Sequence, residues 1–547
     1  MVAWDYIVVG GGIAGSALSS RLLGLNPSLR ILLVEAGRNT SAIPGIEYAN
    51  FGSPIGGTYD WGYSTTPQRY LDNRSVPATI GKGLGGGSLI NGAWWVRGDE
   101  YDYNLWGKTV GDKRWSYDGL LPYMRKTETF FDTKTNPEAH GHSGPIKTQS
   151  VTSTNRSYPL RQPLLESWQQ LGVHPIPGLD GDAGHPLGVG DAIENRDHGR
   201  RQLASLYYPL AGVEVVTDMA VARVLTATTK TSQGDGGVRA TGVELANGTR
   251  IEGREIVLSA GAYHTPQILM LSGIGPRDVL DEQGIPVVLE QPDIGRHLHD
   301  HMFLSTRWQL RDPMAYGGIT IESGNPLFQQ PQYGLGLAVD FNTVTRLEKE
   351  GLAAAIQEDT GRAPGEDHPL LQNRSHICHT LHYSGAGASA IRMISIMLLT
   401  EARGFVGLRS SNISDAPVID SNYLSTTVDR YAARQLVNQT LRLLASDETV
   451  LGRDVFAGEI SDKPLTPSMS DEEIDAGIRA RAYGSFHPAG TASMGKVVDA
   501  SLRVMGVKGL RVVDTSVFPV PISGNLQVAT YATAEQAAVI FHKERRA

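Results

Sequence analysis

Asp5–Val9 (DYIVV) runs directly into Gly10-Gly11-Gly12-Ile13-Ala14-Gly15, then into the helical pattern Ser16–Leu23 and a second apolar run, Leu29–Val34, which ends at Glu35. A short buried strand, a glycine turn, a helix and a second buried strand admit few arrangements, and the βαβ unit of a parallel sheet is the one that fits. Each glycine in the pattern has a separate task. Gly10 permits the tight turn, Gly12 lets a pyrophosphate reach the backbone, and Gly15 lets helix and strand pack closely. The helix N-terminus offers free N–H groups and the positive end of its dipole to phosphate. Glu35 can accept hydrogen bonds from ribose hydroxyls and repels a 2′-phosphate, so a dinucleotide is expected and NADP is not.

Glu35-Ala36-Gly37 is typical of FAD-binding flavoproteins, with NAD as the alternative ligand. The 547 residues leave room for two to four structural units. Further strands are expected at Val213–Thr217, Val221–Ala227, Ile256–Ser259, Ile391–Leu399 and Leu510–Val513. Helices are expected at Glu348–Glu358, Tyr431–Leu444 and Asp471–Ala482, and residues 312–369 read as loops and lids over a pocket. A formal charge of −8 argues against nucleic acid as a partner. The lone Cys378 forms no intrachain disulfide and no thiolate metal cluster, and reads as a small buried hydrophobe. No apolar run approaches the roughly 18–20 residues of a membrane span. No signal peptide is visible, yet sequons begin at Asn39, Asn73, Asn155, Asn247, Asn373, Asn412 and Asn438. That exceeds the about two or three expected by chance. A secreted protein with a removed leader accounts for them; a Ser/Thr-rich surface of an intracellular protein is the alternative.

A second motif, GKGLGGGSLINGAWWVRGDEYDYN, occupies residues 81–104. Its density of glycine beside Asn91, Trp94, Trp95 and Arg97 suits a backbone laid against a planar ring. The segment resembles the first signature of the glucose–methanol–choline (GMC) oxidoreductases, and Gly261–Gly275 (GAYHTPQILMLSGIG) resembles the second. Further family-like segments are DWGYSTTPQ (60–68), DIGRHLHDH (293–301), RGFVGLRS (403–410), FHPAGTASMG (486–495) and LRVVDTSVFP (510–519). The resemblance implies an α/β fold, α+β overall. It has a Rossmann-like FAD domain (1–150, 196–300 and 483–547) and a substrate domain with a mixed or antiparallel sheet (151–195 and 301–482). It adds Gly86, Ser88, Asn91, Val221, Asp514, Gln527 and Val528 to the FAD contacts. Ile90 stands where some members carry the histidine that tethers the flavin, so the FAD is expected to be non-covalent.

The same resemblance makes His487 the catalytic base and Asn525 its partner at the substrate oxygen. A histidine suits proton removal near neutrality, whereas asparagine can hold an oxygen but cannot take its proton. Leu526 replaces the proline usual after that asparagine. The expected reaction is oxidation of a primary alcohol, aromatic or allylic, by hydride transfer to flavin N5, with O2 or a quinone-like molecule as final acceptor. Phe486 matches the aryl-alcohol oxidase branch, while Gly92 stands where that branch has an aromatic residue. Phe486, Trp61 and Trp95 are candidates for the substrate pocket. A lyase or cyclase that keeps FAD as structure, and a flavin photoenzyme, are the rival readings. His297, His299 and His301 could share a strand face, but they fall in a family loop that holds no metal, and no metal is expected. His376, His379 and His382 around Cys378 read as a polar pocket wall.

Overall fold

The computed structural model describes residues 4–41, 43, 45–47, 55–229 and 237–546. The opening βαβ unit forms as expected: strand Trp4–Val9, helix Ile13–Leu25 and strand Ile31–Val34, the strands parallel and almost wholly buried. Glu214–Val216 extends this sheet beyond Ile31–Val34, and Arg250–Leu258 pairs parallel on the other side of Trp4–Val9. Gly237–Leu245 and Val221–Thr229 then continue it antiparallel, while Leu510–Val512 adds in parallel beside Arg250–Leu258. Continuous apolar strands such as ILLV require cover on both faces. Part of that cover comes from the last helix, Gln527–Arg546, which packs on Ile13–Leu25. Its fully buried Glu535 is ion-paired to Arg21 and Lys126.

A second sheet is antiparallel throughout. Its strand order is Phe456–Glu459, Met302–Leu310, Ala390–Met397, Ile377–His382, Phe341–Thr345 and Gly188–Asp191. One face carries a hydrophobic core with the helix Thr427–Ala445; the other looks toward the first sheet. The three helices anticipated at 348–358, 431–444 and 471–482 are present as Lys349–Thr360, Thr427–Ala445 and Asp471–Arg481. The last is closed by a reciprocal capping box between Ser470 and Glu473. The expectation that 312–369 holds only loops and a helix is corrected by strand Phe341–Thr345. FNTVT is short and mostly polar, and it becomes a strand because neighbours on both sides supply its hydrogen bonds. Nor do His297, His299 and His301 share a regular strand. His297 has φ +62°, and only an isolated bridge to Ala489 holds His299. No helix among the described residues is long and apolar enough to cross a membrane.

The two sheets are tied together at Asp102. One oxygen of this buried carboxylate accepts from Arg374 Nε (3.0 Å) and Nη2 (2.6 Å), just ahead of the Ile377–His382 strand. The other accepts from the Ser523 amide (2.7 Å) and hydroxyl. Removing one side of a buried pair leaves the other charge unmatched, which costs about 3–5 kcal/mol. Asp102→Ala is therefore expected to lower the unfolding free energy by about 3 kcal/mol or more, read from denaturant midpoints at constant slope. A loss under about 1 kcal/mol would mean the tie is dispensable.

Candidate active site

One continuous cavity runs from the glycine turn of the first sheet to the inner face of the second. At its first end lie Gly10, Gly12, Glu35 and Val221. Gly10 has φ +102°, and a Cβ there would stand 2.4 Å from the Ser259 carbonyl oxygen. A Cβ on Gly15 would stand 1.9 Å from the Gly10 carbonyl oxygen, so Gly15 serves helix–strand packing and does not reach the cavity. In front of Gly12 the space is open, the nearest protein atom to a Cβ being the Gly86 Cα at 3.8 Å. Gly12 also caps the Ile13–Leu25 helix without a side-chain hydrogen bond, which leaves the first-turn N–H groups to an anion. Glu35 is buried, and burial raises its pKa. Its two oxygens accept from the Gly11 and Gly37 amides, both at 2.8 Å, and the backbone amides around it oppose the effect of burial.

At the middle, Gly86, Asn91, Asp514 and Gln527 reach the wall. Asp514 accepts from the Gly261 amide (2.9 Å), Thr265 Oγ1 (2.6 Å) and the Ser516 amide (2.8 Å), joining the end of one strand to the start of a helix. Asn91 and Gln527 side chains meet at 3.3 Å, and Gln527 opens the last helix toward the cavity. Two expected contacts have side chains turned away from the cavity. The Ser88 hydroxyl is buried, donating to the Gly85 carbonyl (2.6 Å) and accepting from the Ala204 amide (2.9 Å). Val528 is buried in the hydrophobic core, one residue past the helix start. Neither is on the cavity wall.

His487 and Asn525 converge at the other end, with His487 Nε2 3.2 Å from Asn525 Nδ2. His487 Nδ1 lies 2.9 Å from His301 Nδ1. The Asn525 amide nitrogen can only donate, so His487 Nε2 accepts from it; the His487 proton therefore sits on Nδ1, and His487 Nδ1–H donates to His301 Nδ1. Burial keeps both rings neutral, lowering His487 to about 4 and His301 well below the ordinary value. The His487 amide donates to Asp300 Oδ1 (2.8 Å), whose other oxygen accepts from Tyr423 Oη (2.7 Å). Phe486 has φ +63°, an uncommon left-handed conformation that turns the chain just before His487. Thus the 293–301 segment, whose histidines invite a metal-site reading, holds His487 by backbone and ring alike.

Phe486 and Trp61 line the cavity as expected. Trp61 packs on His264, ring centroids 4.4 Å apart, with Lys82 Nζ 4.5 Å above its ring. Trp95 is corrected: it is fully buried, donates from Nε1 to Glu128 Oε2 (2.9 Å) and packs on Tyr531. Trp94 takes the place on the wall and meets His382 edge-on at 6.4 Å. His382 and Cys378 are on the wall, whereas His379 is turned to Ser395 and Gln439 on the other face of the sheet.

A glycine cradle at a helix N-terminus, joined by one cavity to a histidine–asparagine pair, defines a flavoprotein oxidoreductase. Family models described as GMC oxidoreductase match residues 4–303 and 400–534, and the chain belongs to that family. It is an FAD-dependent enzyme of a family of oxidases and dehydrogenases that act on alcohols. It is 35% identical to the GMC-type oxidoreductase acuG of Aspergillus aculeatus, over 98% of both chains. It is 32% identical to an oxygen-dependent choline dehydrogenase of Burkholderia vietnamiensis, over 98% of this chain and 93% of the other. Its structure matches pyridoxine 4-oxidase from Mesorbium loti with a TM-score of 0.81 at 26% identity, over 99% of each chain.

The open space before Gly12 and the filled space around Gly15 predict different failures. Gly12→Val is expected to keep its far-UV circular dichroism and lose bound FAD, whereas Gly15→Val loses both. A fully yellow Gly12→Val protein would remove the cradle from the cofactor site.

Proposed function

We propose that this protein oxidises a neutral primary alcohol, benzylic or allylic, to the aldehyde. The observation that carries the reading is the Asn525–His487–His301 chain at the cavity wall: Asn525 Nδ2 donates to His487 Nε2 and His487 Nδ1–H to His301 Nδ1, a pair that a substrate hydroxyl would part by donating to Nε2 and accepting from Nδ2. Non-covalently bound FAD would be held by Gly10, Gly12, Glu35, Gly86, Asn91, Val221 and Gln527, and when bound it supplies the hydride acceptor. His487 Nε2 takes the hydroxyl proton while Asn525 Nδ2 donates to the same oxygen and holds it as charge develops. His301 is a positioning residue: it keeps the His487 proton on Nδ1 and supports the imidazolium that forms. The Gln527 helix N-terminus faces the middle of the cavity and favours negative charge there. O2 or a quinone-like molecule then takes the electrons. A relative named as a choline dehydrogenase and a structural neighbour named as a pyridoxine oxidase support alcohol oxidation as the common chemistry.

Anaerobic mixing with a panel of alcohols, read at the flavin band near ~450 nm, tests the reading. Bleaching by a benzylic or allylic alcohol is expected, and colour return in air then identifies an oxidase. An enzyme that stays yellow with every alcohol would favour a lyase or cyclase using the same histidine. His487→Ala is expected to retain FAD and lose about 10²–10⁴-fold in the reduction rate. His301→Ala is expected to retain FAD and lose about 100-fold, with a displaced pH profile, because the base is then free to take the wrong tautomer. A base works unprotonated, so kcat/KM is expected to be level at neutral pH and to fall as pH drops through about 4. A midpoint near the ordinary value for histidine would contradict a desolvated base.

A further inference from the structure

Strand alternation divides Ile377–His382 cleanly. Cys378, Thr380 and His382 face the cavity, while Ile377 and Leu381 enter the core behind. Ile396 sits opposite Cys378 on the neighbouring strand, and Phe303 sits opposite Ile396 on the next, both on the cavity wall. Phe303 packs on Tyr483, which leads to Phe486 and His487. Cys378 is therefore two strand spacings, about 10 Å, across the sheet from Phe303. On the far side of Cys378 lies Asn342, also on the wall, from the strand Phe341–Thr345.

The thiol and the amide form a unit. Cys378 Sγ donates to Asn342 Oδ1 at 2.7 Å, and burial pushes the thiol pKa up to about 12, so the sulfur keeps its proton. With its oxygen engaged, Asn342 has its Nδ2 hydrogens left, and no acceptor for them exists among the described residues. Thr380 Oγ1 and His382 Nε2 satisfy one another at 3.0 Å. The remaining wall nearby is apolar: Ile394, Ile396 and Phe303. That donor sits half-buried on the cavity wall, where a bound ligand can accept from it.

Formal charge is missing from this end. Glu35 and Asp514, the acids on the described cavity wall, are both bound to backbone amides, one at the cofactor end and one at the middle. The wall histidines His264, His382 and His487 are held neutral by burial, at about 4, about 3 and about 4. Arg392, opposite His382 in the register, is a cation outside the wall, and its field pushes His382 further down. A quaternary ammonium, the group carried by choline, would meet no anion here.

We propose that Asn342, oriented by Cys378, is a specificity-determining residue. It forms a subsite for an uncharged acceptor oxygen, a phenol, ether or ketone, on the apolar body of the alcohol, distant from the carbon that is oxidised. The assignment rests on the alcohol-oxidation reading and narrows it to neutral, oxygenated aromatic or unsaturated alcohols.

Binding separates the two claims. The oxidised holoenzyme is titrated with 4-phenylbenzaldehyde, whose two rings span the distance across the sheet, and with its 2′-, 3′- and 4′-hydroxyl derivatives, and Kd is read from the perturbed flavin spectrum. The best hydroxylated isomer is expected to bind about tenfold tighter than the unsubstituted aldehyde. Asn342→Leu brings that ratio to about one, and Cys378→Ala, which frees the amide to turn, lowers it part of the way. Retained flavin absorbance shows that each variant is folded and loaded. Equal affinities in the wild type, an unchanged ratio in Asn342→Leu, or tighter binding of benzyltrimethylammonium or of benzoate would overturn the subsite. The matching benzyl alcohols are then mixed anaerobically with the same enzyme. Discrimination among aldehydes without bleaching by any alcohol removes the oxidation reading and keeps the subsite; bleaching without discrimination does the reverse.

Discussion

The Asp102 carboxylate is the point on which the arrangement of the site depends. It joins the helix after the second glycine loop, the lead-in to the antiparallel sheet at Arg374, and the loop at Ser523. Asn525 is two residues beyond Ser523, so the position of its amide is set by a charge pair in another part of the chain. Asp99 repeats the device alongside, accepting from the Ser375 amide (3.2 Å) and hydroxyl (2.9 Å). Buried pairs of this kind are poor sources of net stability, because desolvation offsets most of the attraction. Their use is geometric. One oxygen of Asp102 takes both its donors from Arg374 and the other both from Ser523, so the three segments are held by a single group.

The same economy governs His487. Its ring is desolvated, which makes the neutral form persist into acid, and its backbone is pinned by Asp300. The left-handed Phe486 costs on the order of 1–2 kcal/mol, which the surrounding hydrogen bonds offset. The base is thus supported from beneath by a segment with its own conformational demands, and its Nε2 lone pair is turned to Asn525 because its proton is held on Nδ1 toward His301.

Much of this was legible in the sequence, and for a physical reason. The strand–glycine–helix–strand start is local, and each residue type there is required by its neighbours within about thirty positions. The histidine and asparagine could be named because they sit in recognisable segments. What escaped was long-range or depended on a phase of alternation. Trp94 and Trp95 are adjacent and must point to opposite sides, but composition cannot say which side holds the cavity. Ser88 and Val528 belong to the right segments and face the wrong way. His301 reads with its two neighbours as part of a loop that holds no metal, because nothing local connects it to a residue 186 positions away. Strand Phe341–Thr345 exists only because two partners hold it, and with it went the first sight of Asn342.

The state of Cys378 has a further consequence. It is the thiolate that attacks peroxide, and the thiol form is nearly inert. If O2 is the acceptor, peroxide is released into the same cavity that the thiol lines. A sulfur whose proton is retained to about 12 and committed to an amide oxygen can stand beside that source for many turnovers. The hydrogen bond that orients Asn342 thereby also shields the chain's one oxidisable thiol from the product of its own chemistry.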